Sequence, residues 1–123
     1  MKKSLLFCLL ALGLCIGLYA ESTEDTQFKQ YVELTKNDKE NPEGMTVAAD
    51  CKYRIVYVAM PIPTNMSAVT PETIAELKAD MIKEMRSEKD ECKVVRDLKI
   101  SFVYSFITSD RRVIAIPVSY KDL

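Results

Sequence analysis

The chain has 123 residues, with 17 basic and 18 acidic side chains, no histidine, no tryptophan and three glycines. This is room for one small domain. Histidine-based triads and the usual zinc sites are excluded. The absence of a basic stripe argues against nucleic acid, and so few glycines leave no phosphate cradle. No catalytic residue, metal ligand or cofactor is assigned.

Met1-Lys2-Lys3, an uncharged apolar run over residues 5–18 and Ala20 just before Glu21 have the layout of a secretory signal peptide. The run is shorter than the about 20 apolar residues that a membrane span needs. Residues 1–20 are therefore expected to be a removed leader, leaving a periplasmic or secreted protein with no stable span. Without Lys2 and Lys3, 15 of the 17 basic residues face 18 acidic ones, a net charge of −3. Cys8 and Cys15 leave as well. The remaining pair, Cys51 and Cys92, predicts one disulfide in an exported protein. Closing a loop of about 40 residues is worth roughly 4 kcal/mol in chain entropy.

Residues 21–50 read as a polar segment. Its first six residues are expected to fray. Phe28, Tyr31 and Leu34 suggest a short helix within residues 27–36, followed by a loop dense in turn formers over residues 37–44. Residues 51–123 read as the folded domain. Lys52 to Met60 is rich in β-branched and aromatic residues and apolar on both sides past Arg54, as a central strand is. Pro61-Ile62-Pro63 ends it. Thr70-Pro71-Glu72 is a helix start, and Ile74, Leu77, Met81 and Met85 form the stripe of an amphipathic helix. Its polar stretch over residues 87–91 is the point at which the helix can be interrupted. A strand of nine residues at about 3.3 Å each and a returning helix at about 1.5 Å per residue have matching lengths, which brings Cys51 and Cys92 to one end.

The last two strands form a hairpin. Placing Phe102, Tyr104 and Phe106 opposite Val118, Ile116 and Ile114 requires a three-residue loop, residues 109–111. Lacking glycine there, Asp110 or Arg111 must take the left-handed conformation. Pro117 marks an edge strand. The expected fold class is α+β: a small, mainly antiparallel three-stranded sheet in the order β-α-β-β, one principal helix packed on it, and one disulfide. The place of the first strand in the sheet is left open.

Three kinds of residue invite a functional reading. Glu88, Asp90, Glu91 and Asp97 are the carboxylates available for acid–base work. Met81 and Met85 suit an adaptable apolar site. Tyr53, Tyr57 and Tyr104, with Arg111 and Arg112, are the candidate contacts for a protein partner.

The final third joins a helix, Cys92, the run Asp97-Leu-Lys-Ile-Ser-Phe-Val-Tyr-Ser-Phe106, a charged turn and Val113-Ile-Ala-Ile-Pro-Val-Ser119. It resembles small exported proteins of Gram-negative bacteria that carry a C-terminal helix–hairpin unit. The resemblance implies export and architecture and carries over no site. The expected function is a non-enzymatic interaction protein (inhibitor, immunity or chaperone-like) that binds another exported protein. The alternatives are a small carboxylate-dependent hydrolase, which requires a pocket gathering at least two of the four carboxylates, and a carrier of a small apolar ligand between helix and sheet, which requires a cavity of a few hundred Å³.

Overall fold

A computed structural model describes residues 23–123; the expected leader lies outside the described residues. The elements are α1 (Thr23–Lys36), β1 (Thr46–Asp50), β2 (Ile55–Pro61), α2 (Pro71–Ser87), α3 (Lys89–Asp97), β3 (Ser101–Ile107) and β4 (Val113–Val118). The four strands form one sheet in the order β1-β2-β3-β4. The class is α+β as expected, but the three-stranded, single-helix arrangement is overturned. Among the described residues there are four strands and three α-helices. The central pair, β2 and β3, is parallel, while β1–β2 and β3–β4 are antiparallel.

Two of the added elements, α1 and β1, come from residues 21–50, and the third, α3, is the part of the expected helix beyond a break at Glu88. α1 includes residues ahead of its apolar spacing, and Arg54 pairs with two of them: the Arg54 guanidinium lies 2.7 Å from Asp25 and 3.6 Å from Glu24. Phe28, Tyr31 and Val32 are buried against the sheet, each worth about 1.5–3 kcal/mol for the apolar surface removed from water. The Asn41 side-chain amide donates to the Thr35 carbonyl at 2.7 Å and satisfies one of the orphan acceptors at the helix end. Gly44 leads into β1 with φ +79°, and a Cβ there would meet Pro61 Cγ at 3.0 Å. Only glycine meets both conditions without strain.

β2 starts at Ile55 rather than at Lys52. Residues 51–54 form a turn: the Asp50 carboxylate accepts from the Lys52 and Tyr53 amides at 2.9 and 3.1 Å, and Arg54 closes the turn at φ 55°. This geometry also removes the predicted disulfide. Cys51 sits in that turn, exposed, whereas Cys92 is buried on α3, and both thiols are free. The matched-length argument assumed a strand beginning at Cys51 and an unbroken helix reaching Cys92. Neither holds, because the helix breaks at Glu88, where φ −89° and ψ 75° leave the helical region.

The expected start of α2 is present: the Thr70 hydroxyl accepts from the Thr73 amide at 3.1 Å, with Pro71 in the first turn. α3 ends in a left-handed residue, Lys99 at φ 54°, and the Ile100 amide returns to the Val95 carbonyl at 2.9 Å. The β3–β4 register is the predicted one, pairing Phe102 with Val118, Tyr104 with Ile116 and Phe106 with Ile114. Arg111 supplies the left-handed residue, at φ 63°. β4 is an edge strand, which leaves Pro117 free of the need to donate outward.

Strand parity places Val56, Val58, Phe102, Phe106, Ile114, Ile116 and Val118 on one face, buried. α1 and α3 supply Phe28, Tyr31, Val32, Val94 and Val95 to the same core. Tyr31 meets Phe102 edge-on at 6.2 Å, and Phe102 stacks on Tyr104 at 5.7 Å. The fold is thus two layers, helices on one face of the sheet and no element of the described residues on the other.

Candidate functional site

α2 is seated differently from its neighbours. Its stripe, Ile74, Leu77, Met81, Ile82 and Met85, packs against the core, yet none of its 17 residues is fully buried. The space it leaves is a groove of about 360 Å³. Met60, Tyr104 and Phe106 of the sheet form the floor, and Met81 and Met85 of α2 and Cys92 and Val95 of α3 form the walls. Glu84, Glu88 and Glu91 also line it, and no lysine or arginine does so among the described residues.

A second groove, about 470 Å³, lies on the other side of Tyr31 and shares Tyr31, Met60, Glu91 and Tyr104 with the first. The Tyr31 hydroxyl donates to Glu91 Oε1 at 2.9 Å, a tie from α1 to α3 where the two grooves adjoin. Burial, and then the charge of Glu91, push the Tyr31 phenol well above its ordinary value. Tyr104 is raised in the same way by burial, then by Glu91 and Glu84. Both hydroxyls therefore stay protonated and serve as neutral donors. The Tyr104 hydroxyl points at Met85 Sδ, 4.0 Å away.

The opposite face of the sheet carries Ala48, Tyr57, Val103 and Pro117 in one cross-strand row. The next row holds Thr46, Ala59, Ser105 and Ala115, and Pro61, Ile107 and Val113 follow at the upper end. Tyr57 is 43% exposed, Ile107 38% and Val113 59%. Asp50, at a lower corner beside Ile55 and Ser101, is the one charged residue in the four strands. Thr46, Ser101 and Ser105 are the polar uncharged residues of this face.

The residues singled out in the sequence are dispersed by the fold. Tyr57 lies at the centre of the open face. Tyr104 lies on the inner face and floors the groove. Tyr53 is 64% exposed in the β1–β2 turn, at the other end of β2 from the hairpin tip, with Lys52 over its ring at 5.2 Å. Arg111 and Arg112 are exposed at that tip, bordering Ile107 and Val113. Arg54 is used internally: besides its acidic partners it donates to the Leu98 carbonyl at 3.2 Å and covers Phe28 at 5.9 Å. Of the four carboxylates, Glu88 and Glu91 reach the groove; Asp90 and Asp97 do not, and Asp97 pairs with Lys93. Sequence reasoning missed Glu84, Met60 and Cys92 as groove residues. Met60 was visible only as strand apolarity, and Cys92 was committed to a bond that does not form.

No family model, curated protein or solved structure matches the chain. Among the described residues no helix is long and apolar enough to cross a membrane, and no group of cysteine and acidic residues is arranged to hold a metal ion.

Proposed function

We propose that this is an exported, non-enzymatic interaction protein that binds another exported protein through the uncovered face of its sheet. The observation that carries the reading is the open face itself: cross-strand rows of Ala, Val, Ser, Pro and Tyr with a single charge at one corner. Tyr57 provides a large, rigid anchor at the centre, with small residues around it that let a partner approach the sheet closely. Arg111 and Arg112 form a charged rim on one side, where they orient a partner without burying charge. The partner that fits is a protein with a flat apolar patch and acidic residues beside it.

The test is capture from a fraction of exported proteins. Tyr57→Asp places an unpaired charge at the centre of the face, and Lys83→Glu alters an exposed helix residue well away from it. The expected result is a partner held by the wild type and by the Lys83→Glu variant and lost with Tyr57→Asp. A partner retained by Tyr57→Asp, or none enriched by the wild type, ends the reading.

A further inference from the structure

We propose that the outer edge of β1 pairs with the same strand of a second copy, joining the two sheets into one. The ladder hydrogen bonds show which groups that edge presents. The Ser101 amide donates to the Arg54 carbonyl and the Ile62 amide to the Ile107 carbonyl, both at 2.9 Å. In a parallel pair alternate residues bond to one neighbour, so the even-numbered residues of β2 turn to β3 and the odd-numbered ones to β1. Ile55, Tyr57 and Ala59 therefore bond to Asp50, Ala48 and Thr46. The amides and carbonyls of Val47 and Ala49 are left pointing outward, and among the described residues no strand lies beyond them. The edge of β4 differs. The Thr108 amide donates to the Arg112 carbonyl, which by the same alternation turns Val113, Ala115 and Pro117 outward, and Pro117 has no amide to donate. β1 carries neither lysine nor proline to discourage pairing. Its one charge, Asp50, is held in the following turn, where it accepts from the Lys52 and Tyr53 amides.

The occupant follows from the sequence of the strand, Thr46-Val-Ala-Ala-Asp50. A two-fold axis at Ala48 sets β1 antiparallel to itself, with Val47 opposite Ala49 of the second copy and Ala49 opposite its Val47. These are the residues with outward groups, so each pair exchanges an amide-to-carbonyl bond in both directions. Ala48 then faces Ala48 of the second copy as a non-bonded pair, the closest approach in an antiparallel ladder at about 4.5 Å between Cα atoms, where two methyl groups fit without crowding. Thr46 faces Asp50 of the second copy, so a hydroxyl meets each carboxylate and no like charges oppose. Parity is kept as well. Val47 and Ala49 pack toward the core and Thr46 and Ala48 lie on the uncovered face in both copies, so core meets core and the uncovered faces become continuous. An extended segment of another protein would find only small side chains at this edge and no pocket to select it. The edge is separate from the face proposed above as the protein contact, and the two readings stand independently.

The experiment is sedimentation of the purified protein over a range of concentrations, with amide exchange followed by NMR. The expected result is a reversible dimer in which the Val47 and Ala49 amides gain protection as concentration rises, while those of Val113 and Ala115 do not. Ala48 is exposed, so charged side chains are accommodated there in the single copy. Ala48→Lys and Ala48→Glu are each expected to weaken the dimer by about tenfold, because like charges then stand face to face across the axis. An equimolar mixture of the two variants is expected to regain the association of the wild type, which a folding defect would not allow. The inference is overturned if the wild type stays monomeric up to about 1 mM, if Ala48→Lys dimerises as the wild type does, or if the mixture fails to associate. It is overturned too if the Val47 and Ala49 amides become protected only when another protein is added, which would make the edge a docking site for a foreign strand.

Discussion

Arg54 shows how much one side chain can organise in a domain this small. It sits at a left-handed backbone position, ends the β1–β2 turn, anchors the first turn of α1 and donates to the end of α3. Hydrogen bonds to a charged group are worth about 1.5–3 kcal/mol. Arg54→Ala is therefore expected to cost about 2 kcal/mol in urea unfolding. Arg54→Gly, which relieves the left-handed strain of about 1 kcal/mol, should cost less despite lacking the same contacts. Equal losses would place the contribution in the side chain alone. Asp110 is a second local organiser. The Thr108 hydroxyl at 2.6 Å, and then the Met66 amide at 3.0 Å, hold its carboxyl below the ordinary value of 3.8. The folded value lies under the unfolded one, so its contribution is complete above the unfolded value and is lost as pH falls through the folded value. Amide shifts of Met66 and Thr108 followed into the acid range should show a common midpoint below 3.8; a midpoint at or above it contradicts the assignment.

The helices differ in how firmly they are held. α1 and α3 bury Phe28, Tyr31, Val32, Cys92, Val94 and Val95, whereas α2 buries none of its residues fully. Local opening follows burial. Amide exchange is therefore expected to be several-fold faster along α2 than along α1 and α3; uniform protection across all three helices contradicts this. The elements that could be read in advance were those whose signal is local. Thr70-Pro71 marks a helix start by capping chemistry alone, and the parity of Phe102, Tyr104 and Phe106 against Ile114, Ile116 and Val118 sets the hairpin register. β1 could not be read that way. Its sequence, Thr46-Val-Ala-Ala-Asp50, is rich in alanine and becomes a strand because β2 pairs with it. The break at Glu88 had only the polarity of residues 87–91 to signal it. Of the groove, the methionines on α2 were legible from helical spacing. The floor was not, because Met60 and Tyr104 come from strands whose parallel adjacency no local pattern encodes.

At the scale of the molecule, stability rests on the core rather than on a covalent staple. A thiol-specific reagent is expected to modify Cys51 once in the native protein and Cys92 only on unfolding, and a reductant should leave Tm unchanged; a fall in Tm on reduction would restore the disulfide. The buried phenols set an alkaline limit. Tyr31 and Tyr104 have folded values raised above 10.0, so their contribution is complete below the unfolded value and declines as pH rises past it. Phenolate absorbance above pH 10 should therefore rise together with loss of structure; phenolate appearing while the fold stays intact would show that these rings are accessible. The parallel junction of β2 and β3 has a kinetic consequence. β1–β2 and β3–β4 are each local hairpins, closed by short turns, while Val56 and Phe102 are partners across 46 positions of chain. Closing that distance costs chain entropy before any contact across the junction repays it. The docking of the two hairpins is thus expected to limit the rate of folding, and substitutions along the β2–β3 seam should slow folding more than equally buried ones within either hairpin.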